Sequence, residues 1–428
     1  MSFAASPIGS PHADTATYDV AVIGLGYVGL PTALAFHTAG LRVLGVDVDP
    51  GRLEAVRSGR VDLRDSDRER LRAARDGFAL TAQPADAARA EGVIICVPTP
   101  VNRHLVPDLG ALTEACGAIA AHARAGQTIV LTSTSYVGST KELLARPLTA
   151  RGLRVGADVF VAFSPERIDP GNDRHAHEDV PRVVGGMTPR CAARAAALLG
   201  RYAGALHTVS SAEAAEMTKL LENTFRAVNI ALANEFADAS RLLDLDVMEV
   251  IEAAATKPYG YMPFLPGPGA GGHCIPCDPH YLLWQLRRDR LHTPLVSAAM
   301  NAIAMRPGQV VERARQVLSD QGRGLAGADV LVLGVAYKPE VEDLRESPAL
   351  EIIDRLLAAG ARVGYHDPRV PELVTGGGTK LASVDPGPAD LVIAHTPHQA
   401  LDLRWLPEDQ LLLDATYRFR GVARRVAL

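Results

Sequence analysis

Cysteine is scarce. Five in 428 residues form an odd, scattered set that argues against a disulfide framework and for a reduced compartment. No apolar stretch approaches the length of a bilayer span, so no membrane segment is expected. Nor is there a long basic run. With a formal net charge of −5, non-specific binding to nucleic acid is not expected. An anionic ligand must then rely on a few placed Lys or Arg side chains. Residues 1–17 lack the basic start and apolar block of a signal peptide; rich in Ala, Ser, Pro and Gly, they read as a disordered tail. What remains, 47% hydrophobic and 22% charged residues, is the composition of a soluble, cytoplasmic protein with a core. The length suits roughly two to four domains.

Tyr18–Ile23 is a β-branched run ending in glycines. A helix-like segment follows to about Gly40, then a second apolar run from Arg42 to Val46 that ends at Asp47. This order is a βαβ unit, so its two strands should be parallel. Further strands fit at 92–97, 128–132 and 159–163, with Ala-rich helical stretches between some of them, which implies an open parallel sheet covered by helices. From 211 to 255 there is no Gly or Pro. Met217, Leu220, Leu221, Phe225, Val228, Leu232 and Phe236 recur at helical spacing, predicting one long helix and a second from near Val247. Residues 258–281 are too dense in Gly and Pro for regular structure over most of that span. A helical pattern then resumes to about Leu318. Strands at 329–333, 362–365 and 391–394 and a helix at 348–359 repeat the α/β scheme. The fold class is therefore α/β, with two Rossmann-like, doubly wound parallel-sheet domains (18–210 and 319–428). A central helical region (211–318) joins them, its long spine helix also offering a dimer surface.

Gly24-Leu25-Gly26-Tyr27-Val28-Gly29 is a GxGxxG turn placed after a strand and before a helix. The first glycine permits the tight turn and the second lets backbone approach a pyrophosphate. The third allows close helix–strand packing, and the diphosphate sits on the helix N-terminus. Asp47 stands where a ribose-binding acid belongs; it would accept from both ribose hydroxyls and repel a 2′-phosphate, which favours NAD over NADP. Arg52 nearby, counted among the cofactor contacts, is the feature that weighs against that preference. The C-terminal domain has Gly334-Val335-Ala336-Tyr337-Lys338 after its first strand instead, as if rebuilt for another ligand.

Cys274 lies in Gly271-Gly272-His273-Cys274-Ile275-Pro276-Cys277-Asp278-Pro279. Three readings compete. Cys274 and Cys277 form a CxxC that could be a redox pair or half a zinc site with His273 or His280, although no second ligand pair stands out and no metal is expected. Cys274 could be a buried structural cysteine. Or it is a nucleophile whose thiolate attacks an aldehyde, giving a thiohemiacetal that loses hydride to a nicotinamide and becomes a thioester. Asp278, four residues on, would then handle protons or place a water.

Seven signatures in order resemble the UDP-glucose/GDP-mannose dehydrogenase family from Asp19 to about Arg420: GLGYVGLP (24–31), CVPTP (96–100), TST (132–134), FSPER (163–167), AEMTKLLENTF (215–225), GPGAGGHCIPCDP (267–279) and GVAYKPEVEDLRESPA (334–349). The resemblance implies a four-electron oxidation of a nucleotide sugar's C6 hydroxyl to a carboxylate with two NAD. It also implies a homodimer built on the long helix. By motif, Cys274 is the nucleophile and Lys219 stabilises the developing oxyanion. Asn223, one turn further on the helix, holds the sugar or a water. Asp278 and Thr134 position water and protons, and Glu166 assists thioester hydrolysis. The cofactor set is Gly24, Gly26, Tyr27, Val28, Gly29, Asp47, Arg52, Pro98, Thr99, Thr134, Glu166 and Arg345. Lys219, Asn223, Phe264, Gly271, Gly272 and Lys338 are the substrate set.

Pro170 stands where UDP-glucose dehydrogenases usually have a second glutamate, and Cys277 where they have a lysine. The pattern is similar to the branch that oxidises UDP-N-acetylhexosamines, and also to dehydrogenases of other nucleotide sugars such as dTDP-glucose. A non-catalytic nucleotide-sugar or dinucleotide sensor is the rival from another class, and intact Cys274, Lys219 and Asp278 count against it.

Overall fold

The structure, a computed structural model, describes residues 18–61, 63, 65–74, 77–167, 178–399, 401 and 403–428. The tail expected over 1–17 and the stretch Ile168–Gly171 that distinguishes substrate branches lie outside the described residues. By contacts the chain divides into two units: 1–221 with 280–285, and 222–279 with 286–428.

The first unit is an eight-stranded sheet. Its strands are Tyr18–Ile23 (β1), Val43–Val46 (β2), Phe78–Thr81 (β3), Ala90–Ile95 (β4), Thr128–Leu131 (β5), Phe160–Phe163 (β6), Arg182–Gly186 (β7) and Leu206–Val209 (β8), in the order β3-β2-β1-β4-β5-β6-β7-β8. Strands β1 to β6 are parallel, which is the doubly wound arrangement expected. The sequence did not suggest the extension beyond β6: β7 pairs antiparallel with β6, and β8 parallel with β7. The helices Gly29–Thr38 (α1), Pro50–Ser58 (α2), Asp65–Ala73 (α3), Gly110–His122 (α4), Arg146–Ala150 (α5) and Pro189–Leu199 (α6) complete the unit. Two clusters of buried residues accompany the sheet. One joins Val20, Val22 and Ile94 to Leu30 and Leu34 of α1; the other joins Ala21, Ile23 and Val93 to Leu112 and Ile119 of α4. Burial on both faces is why the strands read as continuous apolar runs.

Ala212–Leu242 (α7) is the single long helix that the Gly- and Pro-free stretch predicts, and it runs from one unit into the other. Its apolar periodicity, however, marks mainly the outer face. Met217, Leu221, Phe225, Leu232 and Phe236 are exposed, whereas Ala215, Glu216, Lys219, Leu220, Asn223, Ala227, Asn234 and Ala237 are buried. The inward face is made mainly of small and polar residues, which permit close packing.

The second unit holds Val247–Ala255 (α8), Asp278–Arg287 (α9, except its first-unit turn), Pro294–Ser319 (α10), and a five-stranded parallel sheet. That sheet is built from Asp329–Leu333 (β9), Arg362–His366 (β10), Leu391–Ala394 (β13), Leu412–Asp414 (β14) and Arg425–Ala427 (β15) in the order β10-β9-β13-β14-β15. Glu372–Val374 (β11) and Lys380–Ala382 (β12) form a separate antiparallel hairpin, and Pro348–Ala358 (α11) follows β9. No helix among the described residues is long and apolar enough to cross a membrane.

Candidate active site

In the first unit the glycine turn has three distinct parts. Gly24 sits at φ 85°, and a Cβ there would lie 2.6 Å from the Cys96 carbonyl oxygen. A Cβ on Gly29 would lie 1.8 Å from the Gly24 carbonyl, so helix and strand meet too closely for any side chain. At Gly26 nothing lies within 4 Å of the Cβ position. This open middle glycine is the room a pyrophosphate needs. Helix α1 starts with no side-chain cap and no acid in its first turn, so its positive end carries nothing that would repel an anion, and half-buried Tyr27 and Val28 lie beside it. These residues fit NAD.

Asp47 is half-buried at the end of β2. It accepts from Leu25 N–H (2.8 Å) and Asp49 N–H (3.0 Å), using two of about four acceptor sites. Arg52 donates from Nε to the Leu25 carbonyl at 2.7 Å, so it braces the turn itself. Pro98 is exposed and Thr99 half-buried after β4, the Thr99 carbonyl accepting from Tyr281 Oη at 3.1 Å. Thr134 is half-buried in the loop after β5, next to Ser133, whose hydroxyl donates to the Val97 carbonyl. Beneath this loop, burial pushes the Cys96 thiol up to about 12 despite its contact with Thr132, so Cys96 is an inert core cysteine.

Lys219 and Glu166 come together here. Lys219 Nζ donates to the Glu166 carbonyl oxygen at 2.7 Å, and both residues are buried. The Glu166 carboxylate accepts from Arg167 N–H at 2.7 Å and from Arg182 at 2.5 Å. Burial opposes the charge on Arg182, but the Glu166 carboxylate together with Tyr202 and Cys96 more than offsets it, so the guanidinium's pKa is raised. Sequence reading missed Arg182; the signal was an arginine opening an otherwise apolar strand. It also missed Glu216. That buried carboxylate accepts from Gly138 N–H (2.5 Å), Thr140 N–H (2.9 Å) and both the Ser139 and Thr140 hydroxyls, pinning α7 to the loop that carries Thr134. Burial raises its pKa against the pull of these donors.

In the second unit, Asn223 Nδ2 donates to Asp278 Oδ2, both side chains buried. Asp278 opens α9, and its N–H donates to the Cys274 carbonyl at 2.8 Å, as does Cys277 N–H at 3.3 Å. The Cys274 peptide is thereby locked to the start of a helix. Its Sγ is half-buried, 3.4 Å from His273 Nδ1. The other four cysteines are buried, Cys277 among them. Among the described residues, no group of three or more His, Cys, Asp or Glu is placed to hold a metal ion.

The loop leading to Cys274 leans on the second Rossmann-like turn. A Cβ on Gly271 would lie 2.7 Å from Tyr337 Cβ and 2.8 Å from the Glu346 carbonyl; one on Gly272 would lie 2.8 Å from the Tyr337 ring. Both glycines are thus packed against protein where a Cβ would point. Gly272 N–H donates to the Arg345 carbonyl at 2.9 Å. The Arg345 side chain is half-exposed and paired with Asp343 on its own turn. Lys338 is half-buried beside Tyr337, and Phe264 packs edge-on to Phe225 at 5.8 Å. At the loop's base, Asn234 Oδ1 accepts Gly267 N–H (2.9 Å), while buried Arg306 donates to the Gly267 carbonyl (3.0 Å) and grips Asp238.

Comparison with known proteins agrees with this geometry. Profiles of the UDP-glucose/GDP-mannose dehydrogenase family match its NAD binding domain at 18–202, its central domain at 213–302 and its UDP binding domain at 331–417. A UDP-N-acetyl-D-glucosamine 6-dehydrogenase from Pseudomonas aeruginosa is 34% identical over 353 residues, covering 82% of this chain and 83% of the relative. An NDP-N-acetyl-D-galactosaminuronic acid dehydrogenase from Ralstonia nicotianae is 32% identical, covering 95% and 97%. The solved structure of a UDP-D-ManNAc dehydrogenase from Pyrococcus horikoshii superposes with a TM-score of 0.84 at 30% identity, over 93% of this chain and 95% of that one.

Proposed function

The chain belongs to the UDP-glucose/GDP-mannose dehydrogenase family and is an NAD-dependent nucleotide-sugar dehydrogenase; from that premise we propose that it oxidises C6 of a UDP-N-acetylhexosamine to the carboxylate through a thioester on Cys274. NAD, when bound, takes up hydride in each of the two oxidations. The remaining chemistry falls to the chain. The Cys274 sulfur adds to the aldehyde carbon, and the Lys219 ammonium stabilises the oxyanion that forms. Asn223 and Asp278 hold a water, through which the Asp278 carboxylate takes up the proton that the first oxidation releases. Loss of the second hydride turns the Cys274 thiohemiacetal into a thioester; water then cleaves the carbon–sulfur bond, the carboxylate leaves and the thiol is regenerated. Glu166, held in place by its ion pair with Arg182, orients that water, and Thr134 assists proton placement. Tyr27, Val28, Asp47, Arg52, Pro98, Thr99 and Arg345 serve the cofactor; Phe264 and Lys338 serve the nucleotide sugar.

One observation carries this reading: Cys274 is the cysteine that is not buried, and its peptide is fixed by the same aspartate that Asn223 engages. The relatives, named as dehydrogenases of N-acetylated nucleotide sugars, support the choice of sugar and count against the sensor alternative. The exposed stripe of Met217, Leu221, Phe225, Leu232 and Phe236 supports a homodimer through a second copy of α7.

The test is NADH production from UDP-N-acetylglucosamine, UDP-N-acetylmannosamine, UDP-glucose, dTDP-glucose and GDP-mannose. The reading expects two NADH per sugar consumed, a lead of about tenfold in kcat/KM for one N-acetylated substrate, and a covalent adduct with Cys274→Ser. Release of free aldehyde after one NADH would refute the thioester route, and a lead for dTDP-glucose would overturn the choice of sugar.

A further inference from the structure

The two units contain the same turn, closed in two different ways. In each, a glycine follows the first strand with positive φ (Gly24 at 85°, Gly334 at 74°). Each glycine N–H donates to the last residue of the second strand (Val46 or His366) at 2.8 Å. In each, an aspartate after that strand accepts the next amide: Leu25 N–H to Asp47 at 2.8 Å, Val335 N–H to Asp367 at 2.7 Å. Each aspartate also caps the amide two residues on, Asp49 or Arg369.

The difference is what else the aspartate holds. Asp47 is half-buried with acceptor capacity to spare. Asp367 is 3% exposed and takes Ala336 N–H, Val370 N–H and the His398 ring besides. Glu340 N–H donates to His398 Nδ1 at 3.1 Å, so the ring hydrogen sits on Nε2, which donates to Asp367 at 3.1 Å. His398 is thus a bridge between Asp367, at the end of β10, and Glu340, at the far end of the Val335–Glu340 segment. Glu340 sits at φ 65°, a conformation a non-glycine residue keeps only when its surroundings impose it. Here they do: its carboxylate accepts from Gln399 N–H at 2.6 Å and from Arg369. The segment so fixed carries Tyr337, the shelf under Gly271 and Gly272, and Lys338.

We propose that His398 is a positioning residue for nucleotide-sugar binding: it gives Asp367 the protein-borne partner that the first turn leaves to a ribose, and so locks the Tyr337–Lys338 segment in its ligand-holding shape. This rests on the reading that Lys338 serves the nucleotide sugar. The experiment compares full-length wild type, His398→Ala, His398→Gln and Lys338→Met. Gln offers a donor and an acceptor flanking one carbon, as the imidazole does. His398→Ala should raise KM for UDP-N-acetyl-D-glucosamine about tenfold, as for one lost buried hydrogen bond, with kcat and the KM for NAD within about twofold. Hydrogen exchange at the Val335, Ala336 and Glu340 amides should accelerate about tenfold or more while β9 and β13 stay protected. His398→Gln should recover most of both effects. Unchanged exchange or an unchanged KM for the nucleotide sugar in His398→Ala, or a fall in kcat with both KM values raised together, overturns the proposal, as does failure of both His398 variants to fold. If instead Lys338→Met leaves KM unchanged while exchange responds to His398→Ala, the role assigned to Lys338 fails and the bridge stands.

Discussion

Replacing Arg182 by Met would expose how much of the site rests on one buried charge. The guanidinium is 1% exposed and the Glu166 side chain 9%, their atoms 2.5 Å apart, so solvent can screen little of what is lost. Removing one partner of such a pair strands the other, at a cost of about 3–5 kcal/mol. That is a large share of the roughly 5–15 kcal/mol that holds a typical domain together. Replacing Glu166 by Gln in the same chain removes the stranded carboxylate, so the double variant should be more stable than Arg182→Met alone, with a coupling of about 1–3 kcal/mol. Equilibrium urea unfolding of the four proteins in the cycle supplies these values. A cost below about 1 kcal/mol for Arg182→Met, or simple additivity, would refute the claim that each buried charge depends on the other. The same proteins report on catalysis. Since Lys219 points at the Glu166 carbonyl, Arg182→Met should lower kcat more than it raises the KM for NAD.

The glycine turn makes a paired prediction: Gly26→Ala should fold like wild type yet bind NAD at least about tenfold more weakly, whereas Gly29→Ala should fail to fold its domain, read by thermal melts and cofactor titration. His395, at the end of β13, has its pKa pushed by burial from 6.5 down to about 4. The folded state therefore holds it neutral, its contribution is complete above pH 6.5, and stability should fall by up to about 1.4 kcal/mol per pH unit from there towards pH 4. His395→Gln should flatten that part of a stability–pH curve; an unchanged slope would exonerate the histidine. Leu221→Glu on the exposed stripe should shift the oligomeric state seen by analytical ultracentrifugation towards monomer, and a variant that sediments like wild type would remove the stripe from the interface.

The most readable parts of the sequence were those in which local chemistry allows one solution. Glycines at 24, 26 and 29 between two apolar runs ending at Asp47 specify a strand, a turn and a helix start. The 45 residues from Ser211 to Ala255, without Gly or Pro, specify helices. The edge of the first sheet was opaque: β7 opens with an arginine and ends in two glycines, and β8 has half its residues exposed, so neither carries the signature of a buried strand. On α7 periodicity gave the helix but not its orientation, because the apolar stripe faces mainly outward and the inward stripe, Leu220 apart, is made mainly of small and polar residues. Partnerships across long separations, such as Glu166 with Arg182, Glu216 with Thr140 or Asp367 with His398, leave no local trace. Each partner alone reads as an ordinary polar residue.

The return of His280–Gln285 to the first unit has a consequence for synthesis. Gln285 both accepts from and donates to the Val137 peptide (2.9 and 2.8 Å), Trp284 packs edge-on to Tyr136, and Tyr281 reaches the Thr99 carbonyl. At about 5–20 residues per second, roughly 3–13 s pass on the ribosome between Leu221 and Gln285. Through that interval the cofactor-binding sheet waits, already translated, for its last six residues. A truncation anywhere in those codons would leave a nearly finished domain whose Thr99 and Val137 backbone groups lack their partners from α9.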